Sequence, residues 1–293
     1  MTFNGALIME LKNCFTIDVE DYFHVEAFSS HINVSDWDKY PCNVENNTHR
    51  ILDLLDNKKN TKATFFILGW VAKRYPSLVR KIHDNGHEIA SHGMSHQLIY
   101  NQDIKTFTSE TSDAKNLLED IIQNPVNGYR AATYSITNKS LWALDVLLDL
   151  GFRYDSSIFP MRHDRYGISD IYPYPHLLET PSGRKIVEFP ISTVKEKLFT
   201  LPVAGGGYFR LFPYFITKAG LKRINKKGHG FVFYIHPWEI DTQQPRIDDI
   251  SYLTKFRHYN NIQKTESRLN QLLSDFEFTT MHEVLEYKKL LIS

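Results

Sequence analysis

The sequence of 293 residues lacks the features that mark disulfide-stabilised, nucleic-acid-binding and membrane proteins. It has only two cysteines, Cys14 and Cys42, so both are expected to be reduced thiols and no disulfide framework is expected. Lysine plus arginine equals aspartate plus glutamate at 34 each, so no overall charge attracts nucleic acid or an acidic membrane. The longest apolar run near the start, residues 6–9, is too short for a signal-peptide core or a transmembrane helix. These absences predict a soluble cytoplasmic protein that binds no nucleic acid.

The order of apolar and polar segments predicts a single α/β domain over residues 1–293. With 42% hydrophobic and 23% charged residues, the chain can bury one large core. Short apolar runs alternate with longer segments of helical period, which favours a mostly parallel sheet. The predicted strands include 14–20, 63–68, 87–91, 128–130, 152–155, 186–189 and 231–235, and the predicted helices include 44–56, 76–85, 103–122, 141–150 and 213–226. Residues 156–184 lack a clear period and are predicted to form a long insertion over one rim.

Polar side chains stand at or just after the ends of several predicted strands. Ligands of parallel α/β folds bind at the carboxyl ends of the strands, so these side chains are expected to lie together. They are Asp18, Glu20, His92, His96, Arg130, Asp155 and His236.

His92 and His96 are separated by three residues and could hold one metal ion. A catalytic metal site needs a third ligand and an open position for water, and the acids that follow the first strand can supply that ligand. Side chains alternate along a strand, so Glu20 shares the face of Asp18 and is the favoured third ligand. Asp21 is the alternative if the strand bulges.

The remaining side chains suit the hydrolysis of an amide. Asp18 is expected to be the base that takes a proton from the attacking water, and Arg130 is expected to pair with Asp18 and keep it ionised. His236 could protonate the leaving nitrogen, and Asp155 could orient His236. For each of these residues an ordinary surface or packing role remains the competing interpretation.

Five segments of the chain together resemble the motifs of the polysaccharide deacetylases with the NodB homology fold. They are residues 16–21, 91–96, 128–131, 154–157 and 233–238. The resemblance extends to a subgroup found with bacterial exopolysaccharide and exosortase gene clusters, because residues 202–210 and 256–259 are similar to runs in its C-terminal part. It implies a distorted (β/α) barrel with a subgroup-specific extension from about residue 200. It also implies a divalent metal of the Zn²⁺ type and removal of N-acetyl groups from sugar units, with Asp18 as base and His236 as acid.

Two positions of the chain depart from the family pattern. The family has two adjacent aspartates, whereas Asp18 is followed here by Val19, and Ala132 stands where the family usually has proline.

Residues 205–207 are predicted to form a flexible wall of the substrate cleft, since they lack the lysine and the spacing of a nucleotide-binding loop. The expected substrate-binding residues are Tyr134, Gly206, Tyr208, Arg210 and Trp238.

Two other functions remain open on the sequence. One is the hydrolysis of a cyclic amide or ureide, as in allantoinase-like members of the same superfamily. The other is a carbohydrate-binding or assembly protein without turnover, although a pure binder has no need for an acid, a base and a metal together. For the deacetylase, the expected substrate is a sugar precursor or short N-acetylated oligosaccharide in the cytoplasm, where contact with the inner membrane would be weak and peripheral. The sequence does not indicate an oligomeric state.

Overall fold

The computed structural model describes residues 11–163, 166–196 and 199–291. The apolar run 6–9, on which the expectation of a missing signal peptide rests, lies outside the described residues. Eleven strands occur in the described part of the chain. They are β1 Asn13–Val19, β2 Thr64–Ile67, β3 Glu88–Ser91, β4 Gly128–Tyr129, β5 Tyr154–Asp155, β6 His176–Glu179, β7 Lys185–Glu188, β8 Thr193–Lys195, β9 Thr200–Pro202, β10 Val232–Ile235 and β11 Phe278–Thr279.

Nine of these strands form one curled sheet in the order β10-β1-β2-β3-β4-β5-β7-β6, with β11 also paired to β1. Every neighbouring pair is parallel except β6 and β7. Strands β8 and β9 form a separate antiparallel pair. No pairing joins the outer strands β10 and β6 in the described ranges, so the sheet is an open half-barrel. The predicted α/β architecture with a mostly parallel sheet is confirmed.

Ten α-helices connect and cover the strands within the described ranges. They are α1 Val44–Asp56, α2 Gly69–Arg74, α3 Pro76–Asp84, α4 Ile104–Ile122, α5 Trp142–Asp149, α6 Gly206–Leu211, α7 Tyr214–Lys226, α8 Tyr252–Tyr259, α9 Ile262–Asp275 and α10 Met281–Tyr287. Helix α3 begins at its proline, and Gly86 follows the helix at a φ of 76°, the left-handed region that glycine adopts without strain. Among the described helices, none combines the length and apolarity that crossing a bilayer requires.

Strand β1 pairs with three other strands, and all seven of its residues are buried. Such burial on both faces is typical of a parallel strand that is covered by helices on either side. Its neighbours are β10 on one side and β2 on the other, and β11 pairs with its first two residues. The carboxyl end of β1 therefore opens between the ends of two other parallel strands.

The predicted insertion 156–184 is only partly irregular. Its described residues include β6, which turns back as an antiparallel edge strand against β7. The segment after residue 200 was expected to be an extension, yet it contributes β10 and β11 to the central sheet. The structured elements α8, α9, β11 and α10 were not predicted from the sequence.

Candidate active site

Three buried side chains bring their ligand atoms together at the carboxyl ends of β1 and β3. Glu20 follows β1 directly, and His92 and His96 lie in the loop after β3. Nε2 of His96 is 2.6 Å from Oε2 of Glu20, and Nε2 of His92 is 3.9 Å from the same oxygen. One ligand atom from each residue lies within 4.8 Å of the other two, as expected of side chains that share one ion.

The surroundings of these residues fit a metal ion. Nδ1 of His92 is 2.8 Å from the carbonyl oxygen of Arg130, so the ring proton sits on Nδ1 and the lone pair of Nε2 faces the cluster. Burial lowers the pKa of His92 to about 4, which keeps the imidazole neutral. Burial alone would raise the pKa of Glu20, but His96 and the other two imidazoles outweigh it and lower that pKa far below its usual range. Oε2 of Glu20 is buried and accepts no aligned hydrogen bond within the described residues. A carboxylate and two neutral imidazoles are a donor set for a transition metal.

Asp21, the alternative ligand, is occupied elsewhere. Its carboxylate caps the short helical turn that follows β1, accepting from the backbone N–H of Tyr22 at 2.7 Å and of Asn43 at 2.5 Å. The strand does not bulge, and alternation along β1 leaves Glu20 on the side of Asp18. The geometry therefore supports the favoured ligand and not the alternative.

Asp18 is held by Arg130, as the sequence predicts. Nη1 of Arg130 donates to Oδ1 of Asp18 at 2.6 Å and to Oγ1 of Thr16 at 2.8 Å. The other guanidinium nitrogens donate to the hydroxyl and the carbonyl oxygen of Ser156 at 3.0 and 3.1 Å. Arg130 is fully buried, and its four hydrogen bonds, one of them to the Asp18 carboxylate, compensate the loss of water around its charge. Oδ2 of Asp18 remains directed toward Nε2 of His236, 3.9 Å away.

His236 is oriented by Glu239 and not by Asp155. Nδ1 of His236 is 2.7 Å from Oε1 of Glu239, whose Oε2 accepts from Nε of Arg210 at 2.7 Å. Burial lowers the pKa of His236, but the hydrogen bond with Glu239 and the charges of Glu20, Glu239 and Asp18 raise it to about 9. His236 therefore has a second nitrogen, Nε2, free to face Asp18 and Glu20 while Nδ1 is fixed.

The prediction for Asp155 is wrong because Glu239 occupies Nδ1 of His236 and the Asp155 carboxylate is hydrogen-bonded to Ser157. It accepts from the hydroxyl and the backbone N–H of Ser157 at 2.6 and 3.1 Å. The Ser157 hydroxyl in turn accepts from the backbone N–H of Ala131 at 2.7 Å, so Asp155 supports the loop that carries Arg130. Burial and the adjacent Asp155 carboxylate raise the pKa of Glu188 well above its usual range, and burial also raises that of Asp155. Burial and the repulsion between the two carboxylates therefore disfavour ionisation of both acids at once.

Two of the five expected substrate-binding residues are buried supports of the site. Arg210 is 2% exposed, pairs with Glu239 and donates to two backbone carbonyl groups, so it cannot meet a sugar. Trp238 is 4% exposed and stacks between the rings of His236 and His258. Its indole N–H lies 3.4 Å from Oε1 of Glu20, where it supports the carboxylate of the Glu20, His92 and His96 cluster.

The other three expected substrate-binding residues, Tyr208, Tyr134 and Gly206, differ in their surroundings. Tyr208 lines a pocket of about 310 Å³, and the buried hydroxyl of Tyr134 has no hydrogen-bond partner among the described residues. Gly206 is required for close packing, because a Cβ there would lie 2.5 Å from the Tyr234 hydroxyl at a φ of 54°. The predicted flexible wall at residues 205–207 is instead the packed start of α6.

Sequence reasoning missed Glu239 although a signal was present. Glu239 lies three residues after His236 and follows Pro237, the spacing at which a helical turn closes a reciprocal capping box. Both the side chain and the backbone N–H of His236 contact the Glu239 carboxylate. The spacing could have predicted a local partner in preference to the distant Asp155.

Two family models match consecutive parts of the chain. Residues 32–154 match the polysaccharide deacetylase model, and residues 156–286 match a domain of unknown function, DUF3473. A peptidoglycan-N-acetylglucosamine deacetylase of Bacillus cereus is 34% identical over 79 residues, which are 27% of this chain and 37% of that protein. A chitooligosaccharide deacetylase of Rhizobium leguminosarum bv. trifolii is 30% identical over 128 residues, or 42% of this chain and 56% of that protein. The chain thus spans about a third to a half of the length of these two relatives.

Solved structures share the fold over nearly the whole chain. A candidate polysaccharide deacetylase from Mycobacterium smegmatis superimposes with a TM-score of 0.62 at 19% identity, covering 99% of this chain and 93% of that one. The allantoinase Puue gives a TM-score of 0.62 at 12% identity, covering 96% of this chain and 90% of that one. At these identities the likeness concerns the fold alone.

Proposed function

Since the chain belongs to the polysaccharide deacetylase family, we propose that it hydrolyses the N-acetyl group of a sugar unit in a bacterial polysaccharide or its oligosaccharide precursor. The observation that carries the proposal is the position of Asp18 and His236 beside the cluster of Glu20, His92 and His96. Oδ2 of Asp18 and Nε2 of His236 lie 3.9 Å apart. A base and an acid at one ion-binding cluster are what the hydrolysis of an amide requires.

Asp18 is proposed to accept the proton of the attacking water. Arg130 holds Oδ1 at 2.6 Å, so the carboxylate keeps one orientation and leaves Oδ2 for the water. The water oxygen attacks the carbonyl carbon of the acetyl group as its proton moves to Oδ2. General bases of this kind contribute roughly 10² to 10⁴ in rate.

His236 is proposed to donate the proton that the leaving nitrogen needs. Its pKa of about 9 keeps the ring protonated near neutral pH, and Glu239 fixes Nδ1 so that Nε2 carries the transferable proton. The carbon–nitrogen bond breaks as this proton reaches the nitrogen, which leaves acetate and a free amino sugar. Asp18 and His236 therefore each carry out one proton transfer, the first from the attacking water and the second to the leaving nitrogen.

Glu20, His92 and His96 are proposed to hold a divalent metal, with Zn²⁺ as the favoured ion. A bound divalent ion would polarise the acetyl carbonyl and lower the pKa of water at its open position. Three protein ligands of this kind are typical of catalytic zinc sites, which keep a fourth position open. Equilibrium binding of Zn²⁺ and competing divalent ions to the metal-depleted protein tests the choice of ion.

The hydrolysis of a cyclic amide is the second candidate function, because the allantoinase Puue shares the fold. Both reactions attack an amide carbonyl and use the same kinds of side chain, so the ligand cluster does not separate them. The family models and the curated relatives favour the acetyl group. A protein that only binds carbohydrate is disfavoured, because Asp18, Arg130 and His236 are aligned for proton transfer.

The test is acetate release from a panel of N-acetylated hexosamine oligomers, with allantoin and related cyclic amides in parallel. The protein is stripped of metal and then restored with Zn²⁺, and Asp18→Asn serves as the matched control. The variant should keep its metal and lose most turnover, by a factor of roughly 10² to 10⁴. Simultaneous loss of metal and activity would place Asp18 on the metal. Turnover of only the cyclic amides would overturn the deacetylase proposal.

The cytoplasmic location and the short oligosaccharide substrate stay predictions. Cell fractionation tests the first. Rates on short and long N-acetylated glycans test the second, and a steep rise in rate with polymer length would contradict it.

A further inference from the structure

A cavity opens near the proposed catalytic acid, His236. It has a volume of about 310 Å³, which is at the small end of the range for ligand sites in proteins. Tyr234 lines it and connects it to the active site, because the Tyr234 ring lies 5.7 Å from the ring of His236 and 5.1 Å from that of Tyr134. The ring of Tyr234 therefore borders both the cavity and the proposed acid His236.

The walls of the cavity combine aromatic rings with two polar side chains, Arg257 and Asn260, that have no partner in the described part of the chain. Tyr208, Tyr234 and Phe256 supply aromatic faces, and Phe256 is 44% exposed at the rim. Aromatic faces of this kind pack against the apolar side of a sugar ring. The side chains of Arg257 and Asn260 also line the cavity, and neither makes a hydrogen bond or ion pair within the described ranges.

Arg257 differs in this respect from the other arginines near the site. Arg130 and Arg210 are buried, and each is paired with a carboxylate. Arg257 lies in the last turn of α8, is exposed, and faces a cavity whose described lining contains no Asp or Glu. A guanidinium presents its donors in a planar fork that matches a carboxylate or a phosphate.

We infer that this cavity binds an anionic group on the sugar unit next to the N-acetylated one, with Arg257 as its counter-ion and the aromatic walls as its packing surface. The inference rests on the proposed deacetylase function and adds the substrate class, an acidic glycan. The anion is a carboxylate, as in a uronic acid, or a phosphate on the neighbouring position. Its contribution should be moderate, because Arg257 is solvent-exposed and salt screens such pairs.

Binding is measured first, so that the result does not depend on turnover. The metal-loaded Asp18→Asn protein is titrated by calorimetry with an oligosaccharide of alternating N-acetylglucosamine and glucuronic acid. The matched ligand is the same oligosaccharide with its carboxyl groups reduced to alcohols. A second pair, N-acetylglucosamine 1-phosphate and the methyl glycoside of N-acetylglucosamine, tests phosphate as the anion.

The Arg257→Gln change is combined with Asp18→Asn, and Lys255→Gln on the same helix is the control. Lys255 carries the same charge as Arg257 but does not line the cavity. We expect the acidic ligand of one pair to bind about five- to tenfold more tightly than its neutral match, with a preference that shrinks as salt is added. Arg257→Gln should abolish that preference, and Lys255→Gln should leave it unchanged.

The pair that shows the preference identifies the anion as carboxylate or phosphate. Equal affinity within both pairs would overturn the inference, as would an equal loss of preference in the Arg257 and Lys255 variants. Acetate release from the same ligands by the wild-type protein distinguishes failure of the deacetylase proposal from failure of the anion site. If no acetate is released but the Arg257-dependent preference is present, the deacetylase proposal fails while the anion site stands.

Discussion

The change of Glu239 to glutamine tests the hydrogen-bonded chain that runs from Arg210 through Glu239 to His236. Oε1 of Glu239 contacts Nδ1 and the backbone N–H of His236 at 2.7 and 3.1 Å, and Oε2 accepts from Arg210 at 2.7 Å. Glutamine has nearly the same shape and can still accept one hydrogen bond from Nδ1. It cannot also accept from Arg210, since its second terminal atom is an N–H₂ group.

Two effects of different size are expected from Glu239→Gln. His236 would exchange a hydrogen bond to a charged partner for one to a neutral partner, a difference of about 1–2 kcal/mol. If this difference is lost from the transition state, kcat falls roughly 5- to 30-fold while KM stays close to its original value. Arg210 would become a buried charge without a carboxylate, which costs about 3–5 kcal/mol of unfolding free energy.

The double change Arg210→Met with Glu239→Gln separates the two effects. It removes both buried charges, so the unfolding free energy should recover relative to the single Glu239 variant. The reduction in kcat should remain, because His236 still lacks its charged partner. Glu266→Gln is the matched control, since Glu266 forms an exposed ion pair with Arg50 and should change stability by less than about 1 kcal/mol.

The assay is steady-state acetate release by metal-loaded protein at one fixed pH, with denaturant unfolding measured in parallel. An unchanged kcat in Glu239→Gln, together with a loss of stability, would refute the reasoning and leave Glu239 only a packing role. Recovery of kcat in the double variant would do the same, because it would trace the defect to the unpaired Arg210.

Two further predictions concern the metal ligands and the buried pair of acids. The double change His92→Ala with His96→Ala should empty the metal site, and wild-type metal content by elemental analysis would contradict the ligand assignment. Because the pKa of Glu188 is raised in the folded state above the ordinary 4.5, the wild-type protein should lose stability as pH rises above that value, by about 1.4 kcal/mol per pH unit up to the raised pKa. Glu188→Gln keeps a donor toward Asp155 and should not show this loss, so unfolding free energies that run parallel in the two proteins from pH 5 to pH 8 would refute the assignment.

The sequence predicted the parts of the site that depend on strand periodicity. Asp18 and Glu20 are two residues apart at the end of β1, and alternation alone put them on one side and favoured Glu20 over Asp21. The same reasoning located His92 and Arg130, because each follows a short apolar strand. These predictions needed no knowledge of distant contacts.

The predictions that failed depended on contacts between segments whose arrangement in space cannot be read from the sequence pattern. Asp155 and His236 both follow strand ends, but β5 and β10 are separated in the sheet by four other strands. The order of the strands is decided by packing of the whole domain, so two residues at the same edge of the sheet need not be in contact. Arg210 and Trp238 were expected at the substrate because their side chains can bind sugars. Burial beside Glu239 and Glu20 decided their roles instead.

The register between β1 and β10 brings a segment that precedes the first family match together with the segment that the second family model matches. Ile17 pairs with Ile235 in parallel strands, so the next residues of each strand, Asp18 and His236, emerge side by side at the same edge. Asp18 and Glu20 precede the first matched segment, whereas His236 and its partner Glu239 belong to the second.

A slip of one residue between these strands would turn Asp18 to the opposite face of the sheet and away from His236. Side chains packed on both sides of β1 prevent such a slip, because all seven of its residues are buried. In the proposed mechanism, the segment that matches the domain of unknown function is part of the catalytic unit. It would supply the proposed acid His236, the carboxylate of Glu239 that orients it and Arg210, and the other segments would supply the proposed base and metal ligands.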